Sequence, residues 1–241
     1  MDRHYITAMH QPIVLNNYSG WYEDIYDNIA YFGNALPSVK LNGNGIRINV
    51  EKGTIHCNVI IYTCGELVVG KNCSRSDLCL FTVLFGGLLK LGERVDFGVH
   101  GNLRCGHFDK LIIGNDCLFS DYVIIRKSDG HAIFDTTKEH IKDLRLNPHE
   151  SLETIIGDHV WGGYQSIIMN KAHIGSGSIV GAYTVANKKY PNNCIIAGVP
   201  GRVIKRNRAW TRNDLFSFLT DDINIYENYA DITDDNYWDK K

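Results

Sequence analysis

Of the ten histidines in this 241-residue chain, His131 stands in a turn suited to proton exchange, Ser128-Asp129-Gly130-His131-Ala132-Ile133-Phe134-Asp135. An unperturbed imidazole titrates near about pH 6.5, so at neutral pH it is largely free to accept a proton, and a neighbouring carboxylate can orient the ring. Asp129 and Asp135 are both candidates for that task, and the spacing does not choose between them. Position alone would make His131 an ordinary polar loop residue. A second concentration of chemistry lies between Ala186 and Arg208, where Lys188, Lys189, Arg202, Lys205, Arg206 and Arg208 occur with no acidic residue among them. Such a run is usually a solvated face, yet it also makes the local positive field that a phosphate-bearing ligand needs. Trp161 is the third feature, an indole in a stretch whose other apolar residues are mostly aliphatic. Without context, it is a packing residue at a corner.

The elements that must position these residues are legible as a repeat. Val69-Gly70, Leu91-Gly92, Ile113-Gly114, Ile156-Gly157, Ile174-Gly175 and Val180-Gly181 each carry a small or β-branched residue three positions beyond the glycine: Cys73, Val95, Cys117, Val160, Ser178 and Thr184. Glycines 70, 92 and 114 are 22 residues apart, 157 and 175 are 18 apart, and 175 and 181 are 6 apart. If six residues make a strand and a turn, three such units close one triangular coil, and a spacing of 22 is a coil with a short excursion. The apolar residue then points inward, the small one fits the narrow interior, and the glycine is expected to serve the tight corner. A period of 22 also suits leucine-rich repeats, but their leucines and asparagine are absent and the hexad phase over 156 to 185 decides against them.

The fold expected is therefore mainly β, a parallel β-helix over residues 66–206, interrupted by an insertion at 126–155 that is too long for a coil corner and is of the kind that forms an active-site wall. Residues 1–65 are rich in Tyr, Asn and Gly, do not keep the hexad and are expected to form an irregular N-terminal cap, with short strands at 45–50 and 59–62. Residues 207–241 are expected to hold a short helix capped by Asn213-Asp214 and an acidic, aromatic tail.

These motifs resemble the hexapeptide-repeat acyltransferase family, in particular the branch that O-acetylates capsular and other surface polysaccharides, including polysialic acid O-acetyltransferases. The likeness is clearest from about Ile112 to Arg206. Leu146-Asn147-Pro148 and Ile155-Ile156-Gly157-Asp158-His159-Val160-Trp161 follow the branch in order and spacing. The resemblance implies a left-handed coil, an exception to the usual crossover rule, and a homotrimer with sites between subunits. It further implies that acetyl-CoA is the cosubstrate, a glycan hydroxyl the acceptor and His131 the general base. Trp161-Gly162-Gly163 matches a Trp-x-Gly element beside the thioester, with Gly162 where isoleucine is usual, a change expected to weaken inward packing at that rung. Trp161 would then wall the acetyl pocket and a backbone N–H near Gly163 would help hold the oxyanion. Gly181-Ala182 corresponds to the coil that takes the pantetheine, Asn187-Lys188 to a Thr-Lys corner, and Gly198-Val199-Pro200-Gly201-Arg202-Val203-Ile204-Lys205 to a Gly-Asn-Pro-Ala-Lys-Val-Ile-Lys ending, so Asn187, Lys188, Arg202 and Lys205 are the expected coenzyme contacts. Tyr183, His107 and Arg126 are candidates for the acceptor side.

A formal net charge of -2 lacks the basic excess of nucleic-acid-binding proteins. No apolar run approaches the roughly 18 residues that cross a bilayer, and no leader opens the chain, so a soluble cytoplasmic protein is expected. Seven cysteines without CxxC spacing suggest buried free thiols. Two other functions compete. A zinc lyase resembling γ-class carbonic anhydrases would draw on His100, His107 and His131, whose spacing does not match that family, and no metal is expected. A β-helix scaffold without catalysis would leave the Asp-Gly-His turn, Trp161 and the basic ending unexplained together. Within acyl transfer, a free sugar such as a galactoside, or the amine of an amino sugar, competes with the surface glycan.

Overall fold

Strands of two residues have too little edge to hold a sheet alone, so they persist only where the rungs above and below satisfy their backbone groups. That is the arrangement in the computed structural model, which describes residues 11–53, 56–74, 78–126 and 153–212. The described chain winds as a left-handed parallel β-helix and contains no helix. None of its elements is a helix long and apolar enough to cross a membrane.

Each coil contributes one strand to each of three faces. The first face stacks Arg47–Val50, Glu66–Val69, Leu88–Leu91, Lys110–Ile113, Glu153–Ile156, His173–Ile174 and Lys189–Tyr190. On the second face are Asp96–Phe97, Leu118–Phe119, Trp161–Gly162, Ile179–Val180 and Cys194–Ala197. The third holds Cys57–Tyr62, Cys79–Val83, Asn102–Cys105, Ile124–Arg126, Ile167–Ile168 and Val185–Ala186. Alternation along each strand sends one side chain in and the next out, and the inward ones form a continuous core. Val69, Leu91, Ile113, Ile156, Ile174 and Val180 are all buried in it, as are the small residues Cys73, Val95, Cys117, Val160, Ser178 and Thr184. Six of the seven cysteines are buried free thiols, while Cys64 is exposed. Burial pushes the Cys73 thiol up to about 11 and that of Cys117 up to about 12.

The repeat glycines act differently from the expectation. Gly70, Gly92, Gly114 and Gly157 do not have positive φ; that conformation falls two residues later, at Asn72, Arg94, Asp116 and His159 (φ 53 to 58°). What the glycines supply is close approach between rungs. A β-carbon on Gly92 would lie 2.7 Å from the Gly114 carbonyl carbon, and one on Gly70 2.5 Å from the Gly92 oxygen. Any side chain there would wedge successive coils apart, against a rung spacing of about 4.8 Å.

The segment before residue 66 is more regular than its lack of hexads predicts. Ile13–Glu23 pairs antiparallel with Ile29–Asn42, which bends across two faces and pairs parallel with both Arg47–Val50 and Cys57–Tyr62. Phe32-Gly33 is in fact an apolar-Gly pair, with Gly33 pressed against the Lys52 amide. The pattern lapses at Val50-Glu51, where Gly53 takes over the close contact with Asn72, so one irregular rung hides the coil.

The insertion leaves the ladder intact. Lys110–Ile113 pairs residue for residue with Glu153–Ile156, and Lys110 Nζ meets Glu153 Oε1 at 3.0 Å. At the other end, Arg202–Arg206 turns back antiparallel on Cys194–Ala197. Residues 207–212 then run back along the corner between the first and second faces. The helix expected at Asn213 lies outside the described residues.

Candidate active site

Trp161 stands on the second face, in register with Leu118 on one side and Ile179 on the other, and is the aromatic member of that outward column, 37% exposed. Its indole Nε1 reaches Ser120 Oγ at 3.4 Å. Gly162 turns inward, where the Phe119 ring fills the space that isoleucine would take: a β-carbon on Gly162 would lie 2.6 Å from Phe119 Cδ1. Phe119 is itself stacked on Phe97 at 4.8 Å, which continues to Phe81 at 5.6 Å. Packing at this rung is thus supplied from the coil below, and the expected weakening is absent.

Gly163 is pressed against the next coil, where a β-carbon would meet the Ala182 amide nitrogen at 2.7 Å. This brings Trp161, Gly163, Gly181 and Ala182 together where the second face turns toward the third. The Gly163 N–H is already donated to the Val180 carbonyl at 2.7 Å, so an oxyanion donor near Gly163 has to be another amide.

Further up the coil, Tyr190 fills an inward position that the rungs below give to aliphatic residues, and its hydroxyl donates to the Gly201 carbonyl at 3.2 Å. It also accepts from the Asn187 amide at 3.2 Å. One side chain thereby ties the Asn187-Lys188 corner to the start of the Gly201-Arg202 ending. Lys205 is set apart from them, paired with Ile195 on the second face. Lys188, Arg202 and Lys205 are exposed, and none is in an ion pair among the described residues. Tyr190 was not singled out from the sequence; its signal is a hydroxyl-bearing ring at a core position of the repeat.

On the third face Arg126 pairs in register with Arg104. Neither has an ion-pair partner among the described residues, and Arg104 Nε is buried without a hydrogen bond. Two like charges one rung apart repel unless an anion sits between them. Arg126 is the last described residue before the insertion, which therefore leaves from the corner between the third and first faces. That corner is the one the second face does not touch. His131, Asp129 and Asp135 lie outside the described residues. His107 is exposed on the same corner, whereas His100 is on the corner between the second and third faces, stacked on Tyr122 at 4.8 Å. Tyr122 continues to Tyr164 and Tyr183 at 6.0 and 5.6 Å, so Tyr183 ends a column of rings along one edge.

The sequence reading also missed the surroundings of Trp161. His159, two residues before it, is buried, with Nδ1 at 2.7 Å from Asp116 Oδ2 and Nε2 at 2.9 Å from the Trp210 carbonyl oxygen. Trp210 stacks on the His159 ring at 4.1 Å and 7°, and lies 6.0 Å from Trp161.

No family profile matches the chain. A polysialic acid O-acetyltransferase of Escherichia coli O1:K1 / APEC is 39% identical over 121 residues, which are 50% of this chain and 38% of that protein. The chain thus spans well under half of that relative's length. The solved polysialic acid O-acetyltransferase OatWY superposes with a TM-score of 0.66 at 25% identity, over 78% of this chain and 87% of that one. NeuO, a polySia-specific acetyltransferase, gives 0.57 at 26% identity over 81% and 98%. Repeat, solenoid and these likenesses together make the chain similar to the hexapeptide-repeat acyltransferases, the polysialic acid O-acetyltransferases among them.

Proposed function

We propose that this chain transfers an acetyl group from acetyl-CoA to a hydroxyl of an acidic bacterial surface glycan, with sialic acid in a capsule as the acceptor class. The observation that carries the reading is the in-register pair Arg104 and Arg126, which has no ion-pair partner among the described residues. A carboxylate-bearing sugar supplies the missing counter-charge and is held beside the base. His131 takes the proton of the attacking hydroxyl, oriented by Asp129 or Asp135, while negative charge builds on the thioester carbonyl oxygen. An amide close to Gly163 holds that charge and Trp161 walls the acetyl group. As the tetrahedral adduct collapses, the C–S bond breaks and the coenzyme thiolate takes the proton back from His131. The pantetheine lies along Gly181 and Ala182, and Asn187, Lys188, Arg202 and Lys205 face the phosphates. No metal takes part. Lys188, Arg202 and Lys205 have no ion pair among the described residues, and the phosphates of the coenzyme would complete their field.

The same reading includes a homotrimer with sites shared between chains. Arg126 ends a strand of the third face and Glu153 begins one of the first, whereas Trp161 is on the second, and a site built between chains side by side would let both regions contribute. The exposed edge of His100, Tyr122, Tyr164 and Tyr183, with the outward aliphatic residues Ile124, Ile167 and Val185 beside it, suits contact with further copies. Buried free thiols suit a reducing cytoplasm.

The test is to incubate the purified protein with radiolabelled acetyl-CoA and matched sialylated and neutral oligosaccharides. Label is expected in the sialylated set, with the preference lost in Arg104→Gln and Arg126→Gln. Equal transfer to neutral galactosides would remove the acidic acceptor, and no transfer to any hydroxyl or amine would remove the transferase reading.

A further inference from the structure

We propose that residues 207–212 form a strap whose Trp210 is a positioning residue for Trp161, fixing the indole at the edge of the acyl site. The inference rests on the reading above for the role of Trp161, but its geometry stands independently. An outward indole on a two-residue strand needs neighbours to choose its rotamer, and the described rungs on either side offer it the aliphatic side chains of Leu118 and Ile179. Among the described residues, Trp161 also meets Ser120 Oγ at 3.4 Å and the Trp210 ring at 6.0 Å, tilted by 43°.

Trp210 itself is held firmly enough to serve as a reference. Its ring is buried on His159, its Nε1–H donates to the His159 carbonyl at 2.8 Å, and its own carbonyl oxygen lies 2.9 Å from His159 Nε2. His159 is fixed in turn by Asp116 Oδ2, and Asp116 Oδ1 accepts from Arg212 Nε at 2.7 Å. Both His159 nitrogens thus lie within hydrogen-bond distance of an oxygen, which fixes the plane of the ring. Arg212 completes the anchor by donating to Asp96 Oδ2 at 2.6 Å and to the carbonyls of Arg94 and Cys117, both at 2.8 Å. Trp210 and Arg212 therefore tie three successive coils to one ring beside Trp161. An exposed link of this length would not need such anchoring merely to end the solenoid, because Arg202–Arg206 already closes the second face.

The experiment uses the full chain labelled with 5-fluorotryptophan, the Trp161 resonance being assigned by its loss in Trp161→Phe. In Trp210→Ala the Trp161 fluorine resonance is expected to shift and broaden. Turnover is expected to fall about 10- to 100-fold, the scale of a small misplacement at a reacting group, while the KM for the glycan stays within about twofold. Trp210→Phe, which keeps a stacked ring, should restore most of both signals. Arg212→Gln removes the anchor away from the indoles and covers the case in which Trp210→Ala does not fold; it too should move the Trp161 resonance. A folded Trp210→Ala or Arg212→Gln protein with an unmoved Trp161 resonance overturns the proposal, as does wild-type turnover in Trp210→Ala. A wild-type protein inactive on every acceptor, with the resonance still displaced by Trp210→Ala, supports the strap and removes the transfer reading instead.

Discussion

Gly162 faces the edge of the Phe119 ring so closely that a β-carbon on it would sit 2.6 Å from Phe119 Cδ1. The ring has little room to retreat, because it is stacked on Phe97 and fully buried. Restoring the family's isoleucine at Gly162 is therefore expected to destabilise the fold by about 1–3 kcal/mol, the usual cost of overfilling a packed core. Denaturant unfolding measures it, and Phe119→Leu in the same chain should recover part of the loss. A Gly162→Ile protein as stable as the parent would mean that the interior is looser than the stacked rings imply.

His131→Ala should lower turnover by roughly 100-fold or more, the common scale for a general base, with acetyl-CoA binding little changed. Binding measured by calorimetry separates the two quantities. Near-normal turnover in a folded variant removes His131 from the mechanism. Attack is direct in this scheme, so a kinetically competent acetyl-enzyme found by mass spectrometry would argue for a covalent intermediate.

Thiol chemistry reports on the solenoid interior. Of the seven cysteines only Cys64 is exposed, so a thiol reagent at pH 8 should label one site rapidly in the native protein and all seven after denaturation. Burial holds the Cys73 and Cys117 thiols neutral, pushing them up to about 11 and about 12. Because the folded values lie above the unfolded one of about 8.5, this stabilisation is fully present below pH 8.5 and is lost as pH rises toward 11 to 12. The melting temperature should hold to about pH 8 and then decline, less steeply in Cys117→Val. A flat profile through that alkaline window contradicts the buried placement.

Assembly and activity should be inseparable. Light scattering is expected to report a mass near three times the 27.2 kDa chain, and Tyr122→Asp should weaken it by placing charge on the aromatic edge. Mixing His131→Ala chains with chains carrying Lys188→Ala and Arg202→Ala should restore part of the activity when the two defects fall on different sides of one groove. A fully active monomer at assay concentration would defeat the shared site.

Composition and periodicity determined much of this molecule. The apolar-Gly pairs and their small partners reveal the coil, because a repeating interior demands the same residue sizes at the same positions, and the gap between Ile125 and Ile155 marks where the repeat yields to other chemistry. Three things depended on the folded chain. Why glycine recurs is a matter of rung-to-rung distance, since Gly92 and Gly114 are 22 residues apart in sequence yet in contact in space. The early coil was hidden because one rung, Val50-Glu51, breaks the pattern that Phe32-Gly33 had begun. Most of all, the neighbours of Trp161 come from remote parts of the chain. Trp210 and Arg212 lie beyond the last hexad, where no periodicity speaks for them, and only the return of the chain along the corner brings them onto His159, Asp116 and Asp96. A repeat predicts what stacks one coil away, but a segment that leaves the repeat is placed by hydrogen bonds and ring contacts that no local pattern encodes.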